Sequence, residues 1–454
     1  MAAFCQKVQR FALSELYPLL VFLSAFACVV LERQDVGLCV LVALIAPVVF
    51  FCDDVLPVFF PFLILVLLCF VNADQSQALP SIVYALVPIV VAMIALPIIR
   101  ARRRLSFGVC FPGLVAISVA LVLGGIGSIT AEEYFSFASL YHIFGLGALM
   151  IVAYLFVKAA ATYERDYDAT DKIALFSYLS LVFVAFMILR VFTYPDVWEG
   201  NVGMTWAVVA RAPWRNSTAA LVVTLLPFVF YYARRHHPIH ILCAFLIYVI
   251  AALSGSRGAL LCGGVQFVLC LVFFYLRKGT TRRVWTWLLA SLTVVLLLIF
   301  AFRDAVVQFL EEYMRLGVDF SKVLTDPRLA LFWRGIEDFM ARPIFGRGLG
   351  YMGNGDLFAP PPLAVLIQWY HSLIPQILGS LGLVGAAAYL YQFVLSIKAI
   401  LRAERGLYTT TLVLAYFGLL LYSQIDPGIF VPLPFASLAV ILFVFLEARE
   451  KKTV

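Results

Sequence analysis

Arg328-Leu329-Ala330-Leu331-Phe332-Trp333-Arg334, then Arg342-Pro343-Ile344-Phe345-Gly346-Arg347-Gly348-Leu349-Gly350, then Trp369-Tyr370-His371-Ser372 all stand within residues 303–385. This interval holds the only long run of the chain that is not membrane-apolar, and the run ends at a histidine on the lip of the next apolar helix. A loop between two membrane spans rarely carries this many arginines without a use for them. The rest of the chain reads as a scaffold that holds the loop at one membrane surface.

The scaffold is legible in the composition. The chain has 454 residues, of which 64% are hydrophobic and 13% charged. A soluble domain of this composition would expose an apolar surface and aggregate. Apolar runs recur at about 17–25 residues, the length that crosses a bilayer core of roughly 30 Å. They predict an all-α polytopic membrane protein of about 12–14 transmembrane helices, the first near 15–31 and the last near 433–448. The predicted organisation is a transmembrane bundle of about 11 spans over 1–302 and a helical extracytoplasmic loop over 303–370. The last three spans fill 371–448, and 449–454 is a cytoplasmic tail. The first run lacks the short core and small-residue cleavage site of a signal peptide, so it is read as a retained span. The nine cysteines are scattered without a CxxC pair and read as small buried apolar residues.

The formal charge of +7 is not a nucleic-acid signal. The basic residues fall in short clusters between spans: Arg100 with Arg102–Arg104, Arg234 and Arg235, Arg277 to Arg283, Lys398 to Arg405, and the tail from Arg449. An even number of predicted spans separates each cluster from the next. All therefore fall on one side, which the positive-inside rule makes the cytoplasm. Both termini are then expected inside and the 303–370 loop outside.

Within the loop, an amphipathic stretch is expected around 309–319. Asp326-Pro327 opens a second helix, roughly 328–341, because proline is tolerated in a first turn. Arg342-Pro343 ends it. Gly346, Gly348 and Gly350 then allow a tight turn and a close approach to a ligand. Pro360-Pro361-Pro362 is a stiff spacer.

Arginines on the outward side break the orientation rule and so carry information. Arg190, Arg211, Arg215, Arg257, Arg328, Arg334, Arg342 and Arg347 form a candidate outward-facing cationic set. The guanidinium is always charged and grips phosphate with a planar fork. Any one of them has a plainer alternative: it snorkels, or it pairs with Glu132, Glu133, Glu199, Glu337 or Asp338. Arg215 and Arg257 stand out because each sits at a helix end in a polar break. His371 directly follows the polar loop, and an imidazole exchanges protons near neutrality. Asp426, before Pro427, either orients a base, pairs with an arginine, or simply ends its helix. Asp166-Tyr167-Asp168 and Cys52-Asp53-Asp54 read as short inner turns. No P-loop, dinucleotide fingerprint or metal-ligand cluster is present in the sequence, so no cofactor and no metal is expected.

The order of these features resembles a known family. It runs Trp214-Arg215-Asn216-Ser217, then the Ser254–Gly258 break, then Arg-Leu-x-x-x-Trp at Arg328–Trp333. Pro-x-x-Gly-x-Gly-x-Gly at Pro343–Gly350 follows, and then a histidine leading into Leu381-Gly382-Leu383-Val384-Gly385. This resembles the O-antigen ligase and O-antigen polymerase superfamily of bacterial envelope glycosyltransferases. The motifs lie within about 210–390; the N-terminal third matches only in being helical membrane.

The resemblance implies a metal-independent transferase in the cytoplasmic membrane with its active site on the outer face. It would take a polyprenyl-diphosphate-linked glycan as donor and pass it to a glycan or lipid-linked acceptor hydroxyl. On that reading His371 is the catalytic base; Arg215, Arg257, Arg328 and Arg347 bind the diphosphate; and Asp426 and Arg211 support them. Ser372 departs from the asparagine that often follows the family's histidine. A rival expectation is a transporter or flippase of lipid-linked glycans, for which midplane charges and repeated halves would be the signature.

Overall fold

The computed structural model describes residues 2–71, 81–127, 137–199, 208, 211–212, 214–276, 281–304, 306–307, 311, 327–348, 370–426, 428–430 and 435–449. Among them there is no strand. In chain order the helices longer than five residues are α1 (Ala2–Leu13), α2 (Leu16–Val30), α3 (Gln34–Phe51), α4 (Phe59–Val71), α5 (Ser81–Ala101), α6 (Phe111–Gly127), α7 (Phe137–Ala161) and α8 (Ala169–Val191). They continue as α9 (Arg215–Arg235), α10 (His240–Leu253), α11 (Arg257–Leu271), α12 (Arg282–Ala301), α13 (Pro327–Ala341), α14 (Leu373–Arg402), α15 (Leu407–Tyr422) and α16 (Ser437–Glu447).

Apolar sequence becomes helix here because a bilayer offers no partner for a backbone N–H or C=O. Among the described residues six helices are long and apolar enough to cross a membrane, or seven if α1 and α2, bent by 66°, make one span. Seven shorter apolar helices accompany them among the same residues. The protein is a multi-pass, all-helical membrane protein, and every predicted span coincides with one of these apolar helices. The stretch 309–319, Gly350 and the Pro360–Pro362 spacer lie outside the described residues, apart from Glu311.

The chain forms two compact units that interrupt each other in sequence. The first comprises Met1–Asp166, Pro327–Arg405 and Ser423–Val454; the second comprises Tyr167–Asp326 and Gly406–Tyr422. In the first, α6 packs between α7 and α14, and α13 lies along α14. Two buried ion pairs fasten this unit. Arg165 donates to Asp54 from Nε at 3.1 Å and from Nη2 at 2.7 Å. Glu447 accepts from Cys110 N at 2.7 Å, Tyr154 Oη at 2.8 Å and Lys158 Nζ at 3.3 Å. Charges this deep are costly to bury unless each is paired and hydrogen-bonded, as these are. Asp54 is thus an anchor inside its short turn. In the second unit α9 is the central helix, 83% buried over its apolar window, with α8, α10, α11 and α15 around it. Asp168 caps α8 by accepting from Thr170 N at 2.9 Å.

Candidate functional site

The polar run of the first unit is built on a broken helix. Gly382 has φ 62° and ψ −153°, so α14 kinks there. This backbone region is essentially open only to glycine. The break frees backbone groups, and the turn Arg342–Gly348 takes them up. Arg347 N donates to Gly379 O at 2.7 Å and Gly348 N to Ser380 O at 3.0 Å. In return Leu383 N donates to Pro343 O at 2.8 Å and Val384 N to Ile344 O at 3.1 Å. Gly346 (φ 69°) lies so close that a Cβ there would stand 2.5 Å from the Ser380 carbonyl carbon. The expected close approach of this glycine turn to a ligand takes another form: Gly346 and Gly348 approach the backbone of α14.

Helix α13 runs Pro327–Ala341, as the Asp326-Pro327 start and Arg342-Pro343 stop predict. It presses against the start of α14 through two glycines. A Cβ on Gly379 would stand 2.9 Å from Gly335 O and 2.9 Å from the Tyr370 ring. A Cβ on Gly335 would stand 3.0 Å from the same ring. The Tyr370 ring therefore fills a slot between Gly335 and Gly379. Overpacking a tight contact costs about 1–3 kcal/mol. Gly379→Ala is expected to destabilise by that amount, measured as a lowered melting temperature of the purified protein in detergent.

At the end of the slot the Tyr370 hydroxyl donates to Asp338 Oδ2 at 2.6 Å. Asp338 is buried, and its Oδ1 lies 3.4 Å from both Arg334 Nε and Arg347 Nε. Arg347, read from sequence as a diphosphate ligand, thus faces a carboxylate of its own unit. Arg328 stands in the first turn of α13, half-buried.

His371 follows Tyr370 and has φ 52°, one of two described non-glycine residues with positive φ. A non-glycine side chain held in this left-handed region costs about 1–3 kcal/mol and persists only where the surroundings impose it. Its Nδ1 is buried, makes no hydrogen bond, and lies 3.8 Å from Asp426 Oδ1. That gap is wider than a hydrogen bond. The fold therefore brings together two residues that stand 55 positions apart in the chain, His371 and Asp426.

The second unit holds Arg211, Arg215 and Arg257. Arg215 opens α9 and Arg257 opens α11. Ser256 caps α11, and its hydroxyl donates to Asn216 Oδ1 at 3.2 Å. Tyr422 Oη donates to Asn216 O at 2.9 Å, and a Cβ on Gly258 would stand 2.7 Å from the Tyr422 ring. The Ser254–Gly258 break is thereby explained: a cap, an arginine, and a glycine that admits Tyr422. The contact joins two helix N-termini, each carrying an arginine as its first residue. Unsatisfied N–H groups and the helix dipole make such ends favourable for anions. Arg211 and Arg190 both lie over the Tyr194 ring, at 4.4 and 5.6 Å.

Sequence reasoning missed Asp338 and Tyr370 as site residues, treating Asp338 only as a possible counterion. The available signal was the Arg334/Asp338 spacing of four on a helix that also carries Trp333 and Phe332.

A polytopic all-helical membrane protein with a histidine–carboxylate pair and arginine-bearing helix ends is the class that these features define. Residues 241–390 match the family model described as O-Antigen ligase, which contains Arg257, Arg328, Arg347 and His371. These residues carry an O-antigen ligase domain, a domain of glycosyltransferase-type membrane enzymes that act in general on lipid-linked glycans. No curated protein matches the chain.

Proposed function

We propose that this protein transfers a glycan from a polyprenyl diphosphate carrier to an acceptor hydroxyl at the outer face of the cytoplasmic membrane, with inversion and without a metal. The observation that carries the proposal is the His371–Asp426 pair, set on a backbone conformation that the fold must impose. With Nδ1 turned to Asp426, Nε2 is the ring nitrogen that takes the acceptor proton. The acceptor oxygen bonds to the anomeric carbon as the bond from that carbon to the diphosphate oxygen breaks. The diphosphate leaves with the electron pair.

Charge develops on that leaving group, and fixed cationic donors lower the barrier most when they are already in place. Arg215 and Arg257 suit the role, each being a guanidinium at a helix N-terminus. Arg328 is assigned to the same task, with Arg211 as support. Arg347, drawn toward Asp338, is a lesser contact. Both termini are assigned to the cytoplasm by the basic clusters.

The test is transfer by purified protein in nanodiscs, supplied with a polyprenyl-diphosphate oligosaccharide, several acceptors and EDTA. Transfer by wild type is expected, and the productive acceptor separates ligation from polymerisation. Arg215→Ala and Arg257→Ala are each expected to lose about 10²-fold in kcat, the size seen when one stabilising donor is removed. Movement of the carrier across a liposome bilayer without transfer would overturn the proposal in favour of a flippase.

A further inference from the structure

We infer that Asp338 and Tyr370 are the positioning residues of His371, clamping the catalytic loop end so that the imidazole is held in its left-handed backbone conformation. The inference rests on the reading of His371 as the base. A strained residue relaxes unless it is pinned on both sides, and His371 is. On its N-terminal side, Tyr370 N donates to Gln376 Oε1 at 3.0 Å, and Gln376 Nε2 donates to Ser380 Oγ at 3.0 Å. On its C-terminal side, Leu373 N donates to Ser423 O at 2.9 Å, and Gln376 N returns to Ser372 O at 3.0 Å.

These contacts hold the chain on either side of His371. The Tyr370 side chain adds a further hold: it is fully buried, slotted between Gly335 and Gly379, and tied at its far end to Asp338. Asp338 in turn is carried on α13 and faces two guanidiniums, those of Arg334 and Arg347, and the backbone N–H of Arg347 is bonded to α14. The chain of contacts runs from the broken helix, through Arg347, Asp338 and Tyr370, to His371. It explains why a buried carboxylate is kept there at all. A carboxylate holds a phenol hydroxyl more firmly than a neutral acceptor does, and the two guanidiniums beside it offset the cost of burying it.

The test compares Tyr370→Phe, Asp338→Asn and His371→Asn with wild type in the nanodisc transfer assay, with monodispersity and melting temperature as controls. Tyr370→Phe keeps the ring in its slot and deletes only the hydroxyl. It is expected to lose about 10-fold in kcat at unchanged KM, because misplacing a base slows chemistry without touching substrate binding. Asp338→Asn keeps an acceptor and removes the charge; a loss of kcat, again at unchanged KM, is expected. Should Asp338→Asn fail to fold, Tyr370→Phe decides alone. Full kcat in Tyr370→Phe, or a loss shared by KM or matched by a loss of folded protein, overturns the clamp. Should wild type transfer, His371→Asn fail and Tyr370→Phe match wild type, the clamp falls and the base stands. Should His371→Asn transfer at the wild-type rate, the base assignment itself falls.

Discussion

His371→Asn is expected to yield inserted, folded protein whose kcat for glycan transfer is lower by about 10²–10⁴-fold, the contribution typical of a positioned general base. Asparagine is the substitution of choice because it tolerates the left-handed region that His371 occupies. Alanine there would add backbone strain to the loss of the imidazole. The ring is partly exposed and its Nδ1 makes no hydrogen bond, so its removal leaves no buried group orphaned. A loss of activity would therefore report chemistry and not folding. Asp426→Asn is expected to lose less, about 10-fold, since it orients the ring without taking the proton. Steady-state transfer rates with a saturating acceptor would measure both. Wild-type rates in the asparagine variant at position 371 would remove that residue from the mechanism.

Gly382→Ala should be among the most damaging small substitutions in the first unit. A Cβ at this position would stand 2.5 Å from Ile344 O and 2.6 Å from Gly346 N, both backbone atoms that cannot swing aside. The backbone conformation itself costs a non-glycine residue about 1–3 kcal/mol. The four bonds between the Arg342–Gly348 turn and α14 are expected to open together. Hydrogen exchange gives the readout: the amides of Arg347, Gly348, Leu383 and Val384 should exchange at least about 10²-fold faster, corresponding to roughly 3 kcal/mol. Amides of α9, in the other unit, serve as the internal reference. Unchanged protection at Leu383 and Val384 would mean that the turn does not depend on the kink.

The sequence by itself determined the class of the protein and its helices. Bilayer thickness imposes a length on each apolar run, so spans are a local property that needs no partner to be read. The start and stop of α13 were equally local, set by the missing N–H of Pro327 and the constraint that Pro343 places on Arg342. The O-antigen ligase domain of residues 241–390 could be read too, because its motifs are short and ordered along the chain.

What only the tertiary structure decided is which polar groups meet. Local sequence makes Arg347 and Arg257 alike, two arginines beside glycines. The fold sets Arg347 against the buried Asp338, whereas Arg257 begins a helix bridged to α9 through Ser256 and Asn216. The glycines at 346, 348 and 382 announce a close approach, but the φ freedom needed to meet a ligand is the same as that needed to meet another backbone. The pairing of Asp338 with Tyr370 escaped notice because it spans 32 residues, and nothing in either neighbourhood encodes the other. Charge and conformational freedom are properties of a residue and can be read from its letter. Pairing is a property of packing, which exists only once the helices have closed on one another.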